Sequence, residues 1–216
     1  MEIKELVKDP KKNYIELLEN VFIDPTPSWY FKMELERGTL NKTFPELFKL
    51  VGKIQRSDRH PEGDAFAHTM MVLDKVASAT SDKITIFCAL MHDIGKGETP
   101  KEMLPRHFFH DVKGEKVISG ISWIPDRYRK PAMFVAKYHM CVYDINKPKK
   151  IVQFFKELAD SGLSLSAFKI ILDADKQDRI FKWWMNDEAI YEKIMSVPKS
   201  EDPTYEKRIK ILLEMK

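Results

Sequence analysis

All six histidines of this 216-residue chain fall between His60 and His139. One of them, His92, is followed by Asp93 and then by Ile94-Gly95-Lys96-Gly97. Neighbouring residues on a helix diverge by about 100°, so an imidazole and a carboxylate in sequence meet one atom only where the helix ends. Gly95 and Gly97 are expected to supply that ending, with Lys96 as a cation beside it. Three further polar residues sit on apolar stripes at helical spacing. His68 is in register with Val72 and Val76, His139 with Val135 and Val142, and Asp175 with Phe168, Ile171 and Leu172; His92 itself follows Ile84 and Cys88. A carboxylate on a core-facing stripe is costly unless a cation or donors compensate it. Taken singly, each histidine reads best as a hydrogen-bonded core residue, and Asp175 as a partner for Arg179 or a helix-end residue. Taken together, four helices present imidazole or carboxylate to one interior, and a metal ion accounts for that economically. Imidazole with carboxylate, and no thiolate, suits manganese, iron, cobalt, nickel or magnesium better than a structural zinc cage.

The elements that must position these groups read as helices nearly throughout. A helix is expected from Asp9-Pro10 to Val21, another from a Ser28 cap to about Gly38, and a short one after Pro45. Asp64 opens a stronger helix, and a fifth runs from Asp82 to Asp93. Gly97 to Ile124 is irregular, with one short helix at Gly114–Ser119. Pro125–Tyr143, Lys149–Leu158, and a stretch from Ser164 or Ser166 to Asp175 follow. A helical tail from about Asp187 is broken at Pro198 and Pro203. The fold class expected is all-α.

Hydrophobic content of 44% and charged content of 32% are those of an ordinary globular chain. No apolar run approaches the length of a membrane span, and the N-terminus lacks a signal-peptide pattern, so a cytoplasmic protein without membrane partners is expected. A net charge of +3 does not by itself argue for nucleic-acid binding, and the basic clusters at Arg127–Lys130 and Lys147–Lys150 read as solvated charge. Cys88 and Cys141 lie in apolar segments and read as reduced core thiols. The trio Trp183, Trp184 and Met185 is expected to pack on the chain's own core.

His68, His92-Asp93 and Asp175, in that order on helices, resemble the HD-domain superfamily of metal-dependent phosphohydrolases. Phe44-Pro45-Glu46-Leu47, His60-Pro61-Glu62-Gly63, His68-Thr69-Met70-Met71-Val72-Leu73-Asp74, Thr99-Pro100, Pro105-Arg106-His107 with His110, Tyr138-His139 and Ala174-Asp175 narrow the resemblance. They are similar to the C-terminal HD domain of bacterial multifunctional CCA-adding tRNA nucleotidyltransferases over about residues 34 to 180. The glycine-serine phosphate loop and strand-borne aspartate pair of that family's catalytic head are not seen here, so CCA addition is not expected. The resemblance implies an HD helical bundle at 44–185, with an N-terminal helical extension at 1–43 and a helical tail at 186–216 packed on the domain. It implies His68, His92, Asp93 and Asp175 as ligands of one divalent ion. His110 and His139 match positions that contact substrate phosphate or hold a second metal, phosphate contact being the role expected here, and Asp93, Lys96 and Arg106 would act in catalysis. The activity implied is hydrolysis of a nucleotide or RNA-end phosphoester, of 2′,3′-cyclic phosphodiesterase or phosphatase type, with tRNA as a larger partner. Two alternatives stay open: a catalytically silent tRNA- or nucleotide-binding module, and a helical scaffold with a structural metal. Oligomeric state is not legible in the sequence.

Overall fold

The computed structural model describes residues 10–58, 60–176, 180–186 and 188–216, with side chains from Tyr14 onward. The expected cap at Asp9, the partner Arg179 and the tail start at Asp187 lie outside the described residues. Among the described residues there are twelve α-helices: α1 (Pro10–Val21), α2 (Ser28–Glu36), α3 (Leu40–Thr43), α4 (Pro45–Phe48), α5 (Ala65–Ala79), α6 (Lys83–Met91), α7 (His110–Gly120), α8 (Asp126–Cys141), α9 (Pro148–Ser161), α10 (Leu165–Asp175), α11 (Glu188–Met195) and α12 (Glu206–Glu214). Among the described residues there is no strand, only one isolated antiparallel bridge between Ile54 and Asp64. The fold is all-α, as expected.

Three of the expected starts hold for the reason given. The Asp64 carboxylate accepts from the backbone N–H groups of Phe66 and Ala67, Asp82 from Thr85, and Ser164 from Ala167. Each cap contributes about 1 kcal/mol by satisfying amides that no helical carbonyl reaches. Ser28 does not cap. It lies inside α2, where its backbone N–H and Oγ donate to the Asp74 carboxylate on α5 at 2.9 and 2.6 Å and dock the two helices. Helix α3 was not expected, and α7 starts four residues earlier than Gly114. That glycine is interior to α7, where it packs against Gly95 and Ala136 rather than breaking the helix.

The central layer is α5, α6 and α8, with α7 against α8 and α10 against α5 and α6. Helix α6 is buried along nearly its whole length, from Thr85 to Met91, which is why its sequence is apolar on every face. Helix α9 instead buries one stripe, Ile151, Val152, Phe154, Phe155 and Leu158, and ends at Gly162 in the left-handed region (φ 78°). Trp184 stacks edge-on to Phe154 and Phe155, and Met185 is fully buried, whereas Trp183 stays part-exposed. Leu18 and Phe31 on one side and Ile190 and Leu212 on the other join the same apolar core as Phe87 and Phe168. No described helix is long and apolar enough to cross a membrane.

Candidate metal centre

Four helices end at, or pass, one buried point. His68 projects from α5, His92 caps the C-terminus of α6, His139 lies in the last turn of α8, and Asp175 closes α10. Helix α6 stops at Met91, and Asp93 takes φ −107°, ψ 11°, so consecutive side chains turn to the same side. His92 Nε2 and Asp93 Oδ2 are then 3.3 Å apart. The helix ending is thus present, but neither Gly95 nor Gly97 adopts a left-handed conformation to make it. Gly95 serves a different purpose. A Cβ there would stand 2.0 Å from the His110 carbonyl oxygen and 2.4 Å from the Gly114 amide nitrogen. Only a bare backbone lets the first turn of α7 close on the doublet and deliver His110.

Asp93 is the hub. Its Oδ2 faces His92 Nε2 and, at 3.6 Å, His68 Nε2; its Oδ1 faces His139 Nε2 at 3.3 Å and His110 Nε2 at 3.4 Å. Asp175 Oδ1 stands 2.9 Å from His68 Nε2 and 3.9 Å from His92 Nε2. Donor atoms of His68, His92 and Asp175 lie within 4.8 Å of one another, and so do those of Asp93, His110 and His139. Two donors each about 2.1 Å from one ion are about 3.0 Å apart at a right angle and about 3.4 Å apart in a tetrahedron. Four of the six separations, 2.9 to 3.4 Å, are close to those edges, and the His68–Asp93 and His92–Asp175 pairs, at 3.6 and 3.9 Å, are longer.

The tautomers carry the argument further. Nδ1 of His92 donates to the Ala89 carbonyl, that of His139 to Ala136, that of His110 to His107, and that of His68 to the Glu62 carboxylate at 2.5 Å. With Nδ1 as donor in each ring, a neutral imidazole turns a bare Nε2 lone pair towards the centre. Four such lone pairs face carboxylate oxygens, and His110 Nε2 is 3.3 Å from His139 Nε2. His92 Nε2, Asp93 Oδ1 and Asp175 Oδ2 have no hydrogen-bond partner among the described protein atoms, although all are buried. Acceptors gathered against acceptors call for positive charge between them, from a metal ion or from ring protons. The residues present therefore fit a divalent ion.

The protonation tendencies agree. Burial by itself would raise Asp93, but Lys96 and His92 outweigh it and hold the carboxyl well below the usual carboxylate range. Burial likewise opposes Asp175, and His68 and His92 again prevail, so it stays ionised. Burial depresses His92, yet Asp93 and Asp175 more than reverse this and raise it above its ordinary value. Burial dominates at His110, which falls to about 4 and is neutral near pH 7.

The other expected residues divide. Lys96 is buried, and its Nζ lies 2.5 Å from Asp93 Oδ2, so it is part of the centre. Arg106 is exposed on the loop before α7 and does not line the cavity over the site; His107 lines it instead. That cavity is about 750 Å³ and is also bordered by Arg56, Lys75 and Lys176. Sequence reasoning passed over Glu62 and Gln55. Glu62 had a signal, since it stands six residues before His68, just ahead of the α5 cap; Gln55 had none.

No family model matches this chain. No solved structure matches it either. Curated proteins do. The chain is 33% identical over 150 residues to the multifunctional CCA protein of Mannheimia succiniciproducens, covering 65% of this chain and 36% of that protein. It is 38% identical over 133 residues to that of Cupriavidus metallidurans (60% and 32%), and 36% identical over 158 residues to that of Dechloromonas aromatica (70% and 38%). The chain thus spans about a third of the length of the curated relatives it matches. Over 60–70% of its own length, this chain is a relative of part of the multifunctional CCA proteins.

Proposed function

We propose that this chain is an HD-type metal-dependent phosphohydrolase that cleaves a nucleotide or RNA-end phosphoester, of the 2′,3′-cyclic phosphodiesterase or phosphatase kind. The observation that supports it best is the Asp93 carboxylate, each oxygen of which meets two imidazole Nε2 atoms in a buried centre under an open cavity. His68, His92, Asp175 and Asp93 Oδ2 would hold one divalent ion, and Asp93 Oδ1, His110 and His139 a second. The latter pair would thus act as ligands, in place of the phosphate contact expected from the sequence. Bound there, manganese, nickel, cobalt, iron or magnesium supplies Lewis acidity and an acidified water near neutral pH.

The chain's own residues supply the rest. Asp93, with an oxygen turned to each pair of imidazoles, would hold the ions and orient the water between them and the substrate. Lys96 balances part of the charge at Asp93 Oδ2, and Lys75 at the cavity wall would favour an anionic substrate, whereas Arg56 there is paired with Asp58 and Lys176 lies beside Asp175. Glu62 fixes the His68 ring so that Nε2 faces inward. Kinship to multifunctional CCA proteins directs the substrate choice to nucleotides and RNA ends, with tRNA as a larger partner.

Purified protein supplied with manganese, nickel or cobalt is expected to hydrolyse 2′,3′-cyclic AMP or p-nitrophenyl phosphate, and Asp93→Ala to abolish turnover. Full activity in Asp93→Ala overturns the proposal. Salt-sensitive tRNA binding without any metal-dependent turnover would favour the binding-module reading instead.

A further inference from the structure

Gln55 lies on the loop between α4 and α5, before the bridge partner Asp64, and its backbone N–H donates to the Gly63 carbonyl at 2.9 Å. Neighbouring bonds fix the loop on both sides. Ala65 N–H donates to the Lys53 carbonyl, and His107 Nε2 lies 3.1 Å from the Ile54 carbonyl. The side chain is 3% exposed and reaches the wall of the cavity over the metal centre. Its Oε1 accepts from Lys96 Nζ at 2.5 Å, the same ammonium that pairs with Asp93 Oδ2. Because an ammonium only donates, Oε1 must be the amide atom facing Lys96, which orients the NH2 group away from it. That Nε2 is buried and has no partner among the described protein atoms.

A buried amide donor with no acceptor is costly, and here it is locked in place beside the reaction centre. We infer that Gln55 is a substrate-contacting residue whose Nε2 donates to a non-bridging oxygen of the bound phosphoryl group. The orphaned Nε2 of a residue that lines the cavity, and the single lysine that separates it from Asp93, carry the assignment, which rests on the hydrolase reading of the same site. Lys96 sets the orientation of the amide, and the amide delivers a neutral donor where negative charge accumulates. A neutral donor adds no charge to the centre, so it does not compete with the ions for the carboxylates.

The test uses the full chain in two readouts. In the magnesium-loaded protein, the Gln55 side-chain amide resonances, identified by their loss in Gln55→Glu, are expected to move downfield as inorganic phosphate is titrated in. In turnover, Gln55→Leu and Gln55→Glu are each expected to lower kcat/KM by about 10- to 100-fold while metal uptake stays at the wild-type level. Gln55→Glu keeps the acceptor for Lys96 and loses the donor. Wild-type turnover in Gln55→Glu would therefore show that only the lysine contact matters, and would overturn the inference. Amide resonances unmoved by saturating phosphate would overturn it as well. If the wild type binds phosphate with the amide shift but hydrolyses nothing, the contact stands and the hydrolase reading falls. The resonance measurement is made on the wild type and uses Gln55→Glu only for assignment, so an unstable Gln55→Leu does not remove the test.

Discussion

Replacing Gly95 with alanine should separate the packing of the site from its ligand chemistry, because no ligand is altered. The added methyl would sit 2.0 Å from the His110 carbonyl oxygen, 2.4 Å from the Gly114 amide nitrogen and 2.9 Å from Gly114 Cα. All three are backbone atoms, so no side chain can swing aside. Contacts of a real Cβ essentially never fall below 3.0 Å, so the first turn of α7 must retreat by about 1 Å. Overpacking of this kind costs about 1–3 kcal/mol, which for a chain of this length lowers Tm by about 2–12 °C. The retreat also draws His110 Nε2 away from Asp93 Oδ1, now 3.4 Å distant, so metal uptake should weaken too. Thermal unfolding followed by circular dichroism, with and without manganese, reads both effects. Gly120→Ala is the control, since a Cβ there meets nothing within 4 Å. Gly95→Ala matching Gly120→Ala in Tm and in manganese uptake would refute the close-approach reasoning.

Two other expectations concern the ions. Glu62→Gln keeps an acceptor for His68 Nδ1 but removes its charge, and should weaken metal binding by about 10- to 100-fold in a competition titration; unchanged affinity would mean that Glu62 only packs. Acid should also release the metal. His92 is raised because Asp93 and Asp175 outweigh burial, so its proton competes with the ion first, while Asp93 and Asp175 stay ionised and His110 stays neutral down to about 4. Affinity should accordingly fall as pH drops from about 8 to about 5.5, by up to about tenfold per unit per displaced proton. Affinity that is flat or rising over that range would sink the ligand assignment of His92.

What was legible in the sequence shares one physical origin. A polar residue that interrupts an apolar stripe at helical spacing must face the core, and His68, His92, His139 and Asp175 each did so on a helix whose period was clear. Asp64, Asp82 and Ser164 were legible for an equally local reason, since a cap satisfies amides two or three residues away. What escaped depends on contacts between segments distant in the chain. Ser28 resembles a cap in sequence, but its oxygen reaches Asp74, 46 residues away. Gly114 resembles a breaker because a one-dimensional reading prices glycine only for its lost helix propensity, not for the close approach it allows to Gly95 and Ala136. Arg106 follows a proline in a basic, histidine-rich stretch, yet the turn points it to solvent and gives the cavity wall to His107.

The doublet shows how these two kinds of information combine. His92 and Asp93 are local, and any helix end would bring their side chains together. Asp93 becomes a hub only because α7, admitted by two glycines, brings His110 to one of its oxygens, while α5 and α10 bring His68 and Asp175 around the other. The same carboxylate then faces four imidazoles whose Nδ1 protons are each held elsewhere, three by backbone carbonyls and one by Glu62. Carbonyls three residues upstream are fixed by helix geometry for His92 and His139, so their tautomers follow from their own turns, whereas His110 takes its carbonyl from His107 on the loop before α7. Only His68 needs a side chain for this purpose. Glu62 is thus a half-buried position from which a single substitution should disturb the centre through the orientation of His68.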